Sequence, residues 1–169
     1  MLALRTASAL LVTFIAAALA GCDAAERAET GSAPSSTGRI AARVTKHTDG
    51  DTLWLSGIGK VRLIGVDTPE VYGHVECYGR QASAFVARLL PIGSAVSFRL
   101  GVDPRDRYGR ALAYVYLRDG RMLNMVLVRR GYAQPLTIPP NDELAPRFVA
   151  AARGARRRGA GLWRPGACR

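Results

Sequence analysis

Lysine is almost missing from this chain: of 24 basic residues, all but Lys46 and Lys60 are arginine. Its positive surface is therefore built for bidentate phosphate contacts, although a base-composition bias of the genome produces the same substitution of arginine for lysine. Histidine is scarce too. His47 and His74 are not spaced as zinc ligands and have no cysteine pair beside them, which argues against a zinc site. The one long apolar run, residues 7–20, is too short to span a bilayer comfortably. Internal repeats are absent, which excludes a solenoid. Acids are outnumbered, with 13 Asp plus Glu and a net charge of +11. Polyanions are the natural partners, and charge alone does not choose between nucleic acid and anionic lipid headgroups.

What is present begins with an export signal. Residues 1–21 carry Arg5 as their only charge and end in Leu19-Ala20-Gly21, followed by Cys22. Small residues before a cysteine after an apolar run resemble the lipobox of bacterial lipoprotein precursors. That resemblance implies cleavage before Cys22, a diacylated Cys22 thiol and a stable anchor, because more than one acyl chain is involved. Asp23 resembles the signal that retains lipoproteins at the inner membrane, so the periplasmic face of that membrane is the expected location in a double-membrane envelope. Processing removes Arg5 alone and leaves 23 − 13 = +10. Residues 22–39 are rich in Ala, Glu, Ser, Thr, Gly and Pro without apolar periodicity, as a flexible tether should be. A single folded domain is expected over residues 40–169. With Cys22 assigned to lipid, Cys77 and Cys168 remain. One disulfide between them is the simplest reading in an oxidising compartment, worth on the order of 4 kcal/mol at most by chain-entropy reasoning. Two free thiols is the alternative.

Within the domain, residues 40–48 and 51–56 read as strands joined by an Asp49-Gly50 hairpin turn. A third strand enters at Lys60 and runs through Lys-Val-Arg-Leu-Ile-Gly-Val-Asp-Thr-Pro-Glu70, with a bend expected at Gly65. Its makeup is unusual: a buried strand interrupted by Arg62 and ending in Asp67 and Glu70 needs a ligand or mutual pairing to offset the cost of the charges. Ala82, Phe85, Val86, Leu89 and Leu90 have helical spacing over residues 79–90. Strands are expected again at 95–102 and 110–117, then a short helix over 122–130 closed by Gly131. Three prolines make 134–141 a loop. A last helix over 142–158 should bury Leu144, Phe148, Ala151 and Ala155 and turn Arg147, Arg153, Arg156 and Arg157 outward as a basic face, which is more often merely solvated than bound to nucleic acid. Trp54 and Trp163 read as packing residues. Five short strands with a helix between the third and fourth fit an OB-type barrel, mainly β with about three helices, and the tight turns disfavour parallel pairing.

Four pieces carry the chemistry: Asp49-Gly-Asp-Thr52, Arg62, Asp67-Thr-Pro-Glu70 and Asp106-Arg-Tyr-Gly-Arg110. Each is weak alone. In this order, with Tyr78-Gly-Arg-Gln-Ala-Ser-Ala-Phe85 and Leu127-Val-Arg-Arg-Gly131 around them, they resemble the staphylococcal nuclease (thermonuclease) family across residues 40–163. The resemblance implies a monomeric enzyme that hydrolyses phosphodiester bonds of DNA and RNA with little sequence preference and leaves 3′-phosphoryl ends. It implies Ca²⁺ held by the carboxylates of Asp51 and Asp67 and the carbonyl of Thr68, with Asp49 as an acid beside that site; hard oxygen donors suit this ion. Pro69 biases Thr68 toward an extended conformation and so toward one direction for that carbonyl. By the same resemblance Glu70 positions or deprotonates the attacking water, Arg62 and Arg110 bind the scissile phosphate, and Tyr108 contacts phosphate or base. Where the family has two base-stacking tyrosines this chain has Thr137 and Pro139, which puts base affinity in question. Two other readings stand beside it. One is a non-catalytic OB-type module that holds nucleic acid at the envelope; the other makes Arg62 and Asp67 a structural ion pair.

Overall fold

The computed structural model describes residues 38–168, so Cys22 and most of the 22–39 segment lie outside the described residues. Its strands are β1 (Ile40–His47), β2 (Thr52–Leu55), β3 (Gly59–Leu63), β4 (Val66–Asp67), β5 (Ala95–Arg105), β6 (Ala111–Tyr116) and β7 (Gln134–Pro135). Five of them close into a barrel in the order β1-β2-β3-β6-β5. The two-residue strands β4 and β7 pair with each other apart from it. The helices are α1 (Gly79–Leu89), α2 (Leu123–Arg130) and α3 (Ala145–Arg157). This is the OB-type barrel with three helices that the strand count predicts.

Parallel pairing is the first correction. β3 and β6 run parallel, with Val61 opposite Ala111 and Leu63 opposite Ala113. The tight turns do force β1 against β2 and β2 against β3 to be antiparallel. Between β3 and β6, however, the chain spends α1 and β5, which is more than the dozen residues a parallel crossover needs. Closure through this pair, and through β1 with β5, removes free sheet edges.

The predicted strand over 60–70 is broken where the bend was expected. Gly65 takes φ 78°, a left-handed conformation in which a side chain would be strained, and an added Cβ there would run into the ring of Phe148. At the break Ile64 keeps one backbone bond to β6 and takes the other from a side chain. The Ile64 N–H donates to the Ala113 carbonyl at 3.0 Å, and the fully buried Asn124 of α2 donates to the Ile64 carbonyl at 2.8 Å. Asn124 also accepts from the Val115 N–H at 3.0 Å, so one amide spans the barrel end and the bend. A buried amide with its groups satisfied specifies one arrangement, whereas a half-satisfied one would cost free energy.

The loop expected at 134–141 contributes β7 as well, because Pro135 needs no N–H for the one short edge it occupies. The cores of the helices follow their spacing with one slip. Helix α1 buries Ala82 and Val86. Helix α3, which starts at Ala145 rather than 142, buries Phe148, Ala152 and Ala155 at i, i+4 and i+7, while Ala151 is only half-buried. Trp54 and Trp163 are half-buried and lie under the cations of Lys46 and Arg156 rather than in the core. Cys77 and Cys168 form a disulfide with S–S 2.05 Å.

Candidate active site

The β1–β2 turn, the end of β3 and the β4 strand deliver a charged cluster to one end of the barrel. Asp51 is 5% exposed, and both of its carboxylate oxygens are engaged. One oxygen accepts from the Thr52 hydroxyl at 3.1 Å and faces Arg62 Nε at 3.1 Å. The other accepts from the Thr68 N–H at 2.8 Å and from its hydroxyl at 2.9 Å. Arg62 then joins the two acids. Its Nη2 donates to Asp67 at 2.9 Å and its Nη1 to the carbonyls of Leu63 and Val66 at 2.8 and 2.7 Å. A fully extended chain would hold residues 62 and 67 about 17 Å apart. The bend at Gly65 is what turns that span into an ion pair.

Asp49 reaches the cluster by accepting from the Asp51 N–H at 3.0 Å. Burial, and then the charge of Asp51, push the Asp49 carboxyl up to about 6. Asp67 is raised as well, by burial first, with Asp51 adding to the effect and Arg62 opposing it. Asp49 and Asp67 thus both lie close enough to Asp51 to feel its charge, and Arg62 already supplies positive charge between Asp51 and Asp67. Among the described residues no group of three or more His, Cys, Asp or Glu side chains is arranged to hold a metal ion. Asp51 and Asp67, the two carboxylates expected to hold Ca²⁺, fall short of that number, and they are engaged instead by Thr52, Thr68 and Arg62.

Glu70 stands apart. Its backbone is held at both ends, since its N–H donates to the Glu76 carboxylate at 3.1 Å and its carbonyl accepts from the Glu76 N–H at 2.9 Å. The chain at Pro69 and Glu70 packs directly onto Gly79, where a Cβ would collide with the Glu70 carbonyl. Next to this junction, the disulfide ties Cys77 to the C-terminal turn. Among the described residues the Glu70 carboxylate itself makes no hydrogen bond or ion pair with Asp51, Arg62, Asp67 or Arg110. It is an exposed acid on an anchored backbone.

A cleft of about 550 Å³ lies beside the cluster and is lined by Arg62, Arg110 and Tyr108 together with Leu136, Ile138 and Asn141. Arg110 comes from the β5–β6 turn. Its Nε donates to Asp106 at 2.6 Å, and its guanidinium sits 5.4 Å from the centre of the Tyr108 ring. Burial would raise the Asp106 carboxyl, but hydrogen bonds from Arg110 and from the N–H of Tyr108 outweigh it and hold it below the usual carboxylate range. Arg62 is thus the one residue shared by the acid cluster and the cleft. Asp51, Asp67 and Glu70 do not line the cleft.

Asp106, which opens the predicted Asp106–Arg110 piece, positions Arg110. Several residues here escaped the sequence reading. Asn141, 8% exposed, bonds the backbone of Asp103 on both sides at 3.1 and 2.9 Å. Leu136 and Ile138 line the cleft; of the two positions where tyrosines are missing, Pro139 lines it and Thr137 does not. The alternation of aliphatic side chains at 136 and 138 was the available signal, hidden among three prolines.

A closed five-stranded barrel that brings two arginines to one cleft beside paired carboxylates suits a phosphate-bearing substrate, and the chain's similarities place it among the nucleases. Residues 60–165 match the family described as Staphylococcal nuclease homologue. Thermonuclease of Staphylococcus intermedius is 37% identical over 126 residues, covering 71% of this chain and 74% of that protein. Thermonuclease of Staphylococcus hyicus is 35% identical over 127 residues, covering 72% and 74%. Endonuclease YhcR of Bacillus subtilis (strain 168) is 32% identical over 144 residues, which is 77% of this chain and 12% of that much longer protein. The chain belongs to the staphylococcal nuclease family.

Proposed function

We propose that this protein is a Ca²⁺-dependent nuclease that hydrolyses phosphodiester bonds of DNA and RNA with little sequence preference, and that it works outside the cytoplasm, anchored to the bacterial envelope by lipid on Cys22. The observation that carries the catalytic part is the shared position of Arg62, bonded to Asp51 and Asp67 while lining the same cleft as Arg110. A phosphate in that cleft meets two guanidinium groups, and the carboxylates of Asp51 and Asp67 with the Thr68 carbonyl stand next to it as ligands for Ca²⁺. Bound there, the ion supplies positive charge to a phosphate oxygen and to water.

The residues then divide the work. Arg62 and Arg110 donate to phosphoryl oxygens, whose charge grows as phosphorus becomes five-coordinate. Glu70 takes a proton from the attacking water or orients it. The water oxygen bonds to phosphorus in line with the departing 5′ oxygen, which leaves with its electron pair and is protonated, so the 3′ side keeps the phosphoryl group. Tyr108 and the aliphatic wall of Leu136 and Ile138 receive the flanking sugar and base by packing, not by base-edge hydrogen bonds, in keeping with low sequence preference.

The test is digestion of single-stranded DNA by residues 40–169 with Ca²⁺ and with chelator. Cleavage is expected only with the metal, and Glu70→Gln is expected to reduce it by about 10² to 10⁴-fold, the range for loss of a general base. If neither wild type nor Glu70→Gln cuts the strand when Ca²⁺ is present, the enzyme reading fails and the protein is a binding module.

A further inference from the structure

A second cleft, about 390 Å³, opens where the start of β1, the end of β6, α2 and the start of α3 meet. Five arginines line it, Arg39, Arg99, Arg121, Arg129 and Arg147, against a single acid, Glu143. Arg99 pairs with Glu143 at 2.9 Å and Arg121 with Asp119 at 2.7 Å. Arg129 and Arg147 are exposed and form no ion pair among the described residues. The guanidinium of Arg39 lies 3.5 Å above the Tyr116 ring and that of Arg99 4.8 Å above Tyr114, so planar cations are held against aromatic faces. Met122, Met125, Val126 and Leu144 form an apolar floor.

We propose that this arginine cleft binds the sugar-phosphate backbone of the substrate strand beyond the segment being cut. Position supports it. Asn141 lines the first cleft, and Glu143 and Leu144 line the second, so the two meet across residues 141–144. Arg99 and Asp103 mark the same passage along β5, about 13 Å apart for four strand residues. A strand leaving the Arg62–Arg110 cleft over this rim enters the second one. Donor geometry supports it too: the cations come from separate elements and three of them, Arg121, Arg129 and Arg147, are exposed, which suits a row of phosphates and not one compact anion, whose site would converge on buried donors. Concavity and an apolar floor between cations suit a single strand, with bases and sugars to pack, better than the flat headgroup plane of a bilayer. The proposal rests on the nuclease reading for the strand that enters.

The experiment compares the full-length protein with its Arg129→Ala/Arg147→Ala variant, using anisotropy of labelled single strands with chelator present so that nothing is cut. One strand exceeds the roughly 4–16 nucleotides an OB-type barrel covers, and the other is a dinucleotide. The variant is expected to bind the long strand about tenfold more weakly, with the slope of log affinity against log salt reduced by about 1.4, which is about 0.7 for each phosphate no longer neutralised. Dinucleotide affinity is expected to stay within twofold, and Arg88→Ala/Arg153→Ala, which removes the same charge elsewhere, to leave the long strand bound. Equal weakening of both lengths, equal weakening by the control pair, or no weakening at all overturns the proposal. Unchanged strand affinity with abolished binding to phosphatidylglycerol vesicles assigns the cleft to lipid and also overturns it. Strand binding that follows these expectations in a protein that cuts nothing would sink the nuclease reading and leave this cleft standing.

Discussion

Arg62 and Arg110 bring the same guanidinium group to the same cleft from surroundings that differ in nearly every respect. Arg62 is 13% exposed and is held by two carboxylates and two backbone carbonyls, all drawn from the turn and bend that shape the barrel end. Arg110 is 27% exposed on a surface turn and has one carboxylate partner, Asp106, four residues away. Arg62 is therefore part of what makes the site, and Arg110 is carried by it. A cation whose removal strands the buried Asp51 serves stability and chemistry together, whereas one held only within its own turn can be exchanged with less cost to the fold.

That contrast can be broken by measurement. Arg62→Ala leaves Asp51 buried without its partner and is expected to cost about 3–5 kcal/mol in urea denaturation, along with activity. A destabilisation below about 1 kcal/mol would mean that the pair is not buried in solution as it is here. Gly65→Ala attacks the same cluster through the backbone, by its φ of 78° and the Phe148 ring, and is expected to cost about 1–3 kcal/mol and to part Arg62 from Asp67. On the other arm, Arg110→Lys is expected to lower kcat/KM by about 10 to 10²-fold, because a point charge replaces a planar fork, while the unfolding midpoint hardly moves. Full activity in Arg110→Lys would remove the bidentate phosphate role.

The smallest effect belongs to Asp106. Its pKa is lowered in the folded chain, so its contribution to stability is complete above about pH 4, where the unfolded carboxylate is charged, and is lost as pH falls through the lower folded value. Wild type is expected to exceed Asp106→Asn modestly above that pH and to converge with it in acid. Equal stabilities at neutral pH would show that Arg110 is carried without help from Asp106.

The strands, the helix between β3 and β5 and the acidic motifs were legible because each rests on local signals: alternation, helical spacing, Asp-Gly and Gly turns. The bend at Gly65 was legible for the same reason, since one glycine sat between a strand and its acidic exit. The β3–β6 parallel pair was not, because pairing across α1 and β5 leaves no mark in either strand. Nor was Asn124, a lone amide on an apolar helix, whose use depends on carbonyls at residues 64 and 113 that only the closed barrel brings together.

The sequence by itself determined the residue types of the site and their order: three aspartates, a threonine before proline, a glutamate and two arginines around short strands. Tertiary structure decided how they divide. Arg62 became the bridge between Asp51 and Asp67 because a left-handed glycine bends the chain between β3 and β4, and Arg110 stayed at the rim because its carboxylate partner, Asp106, lies in its own turn. Burial and long-range closure set those differences, and neither is a property of any short stretch of chain.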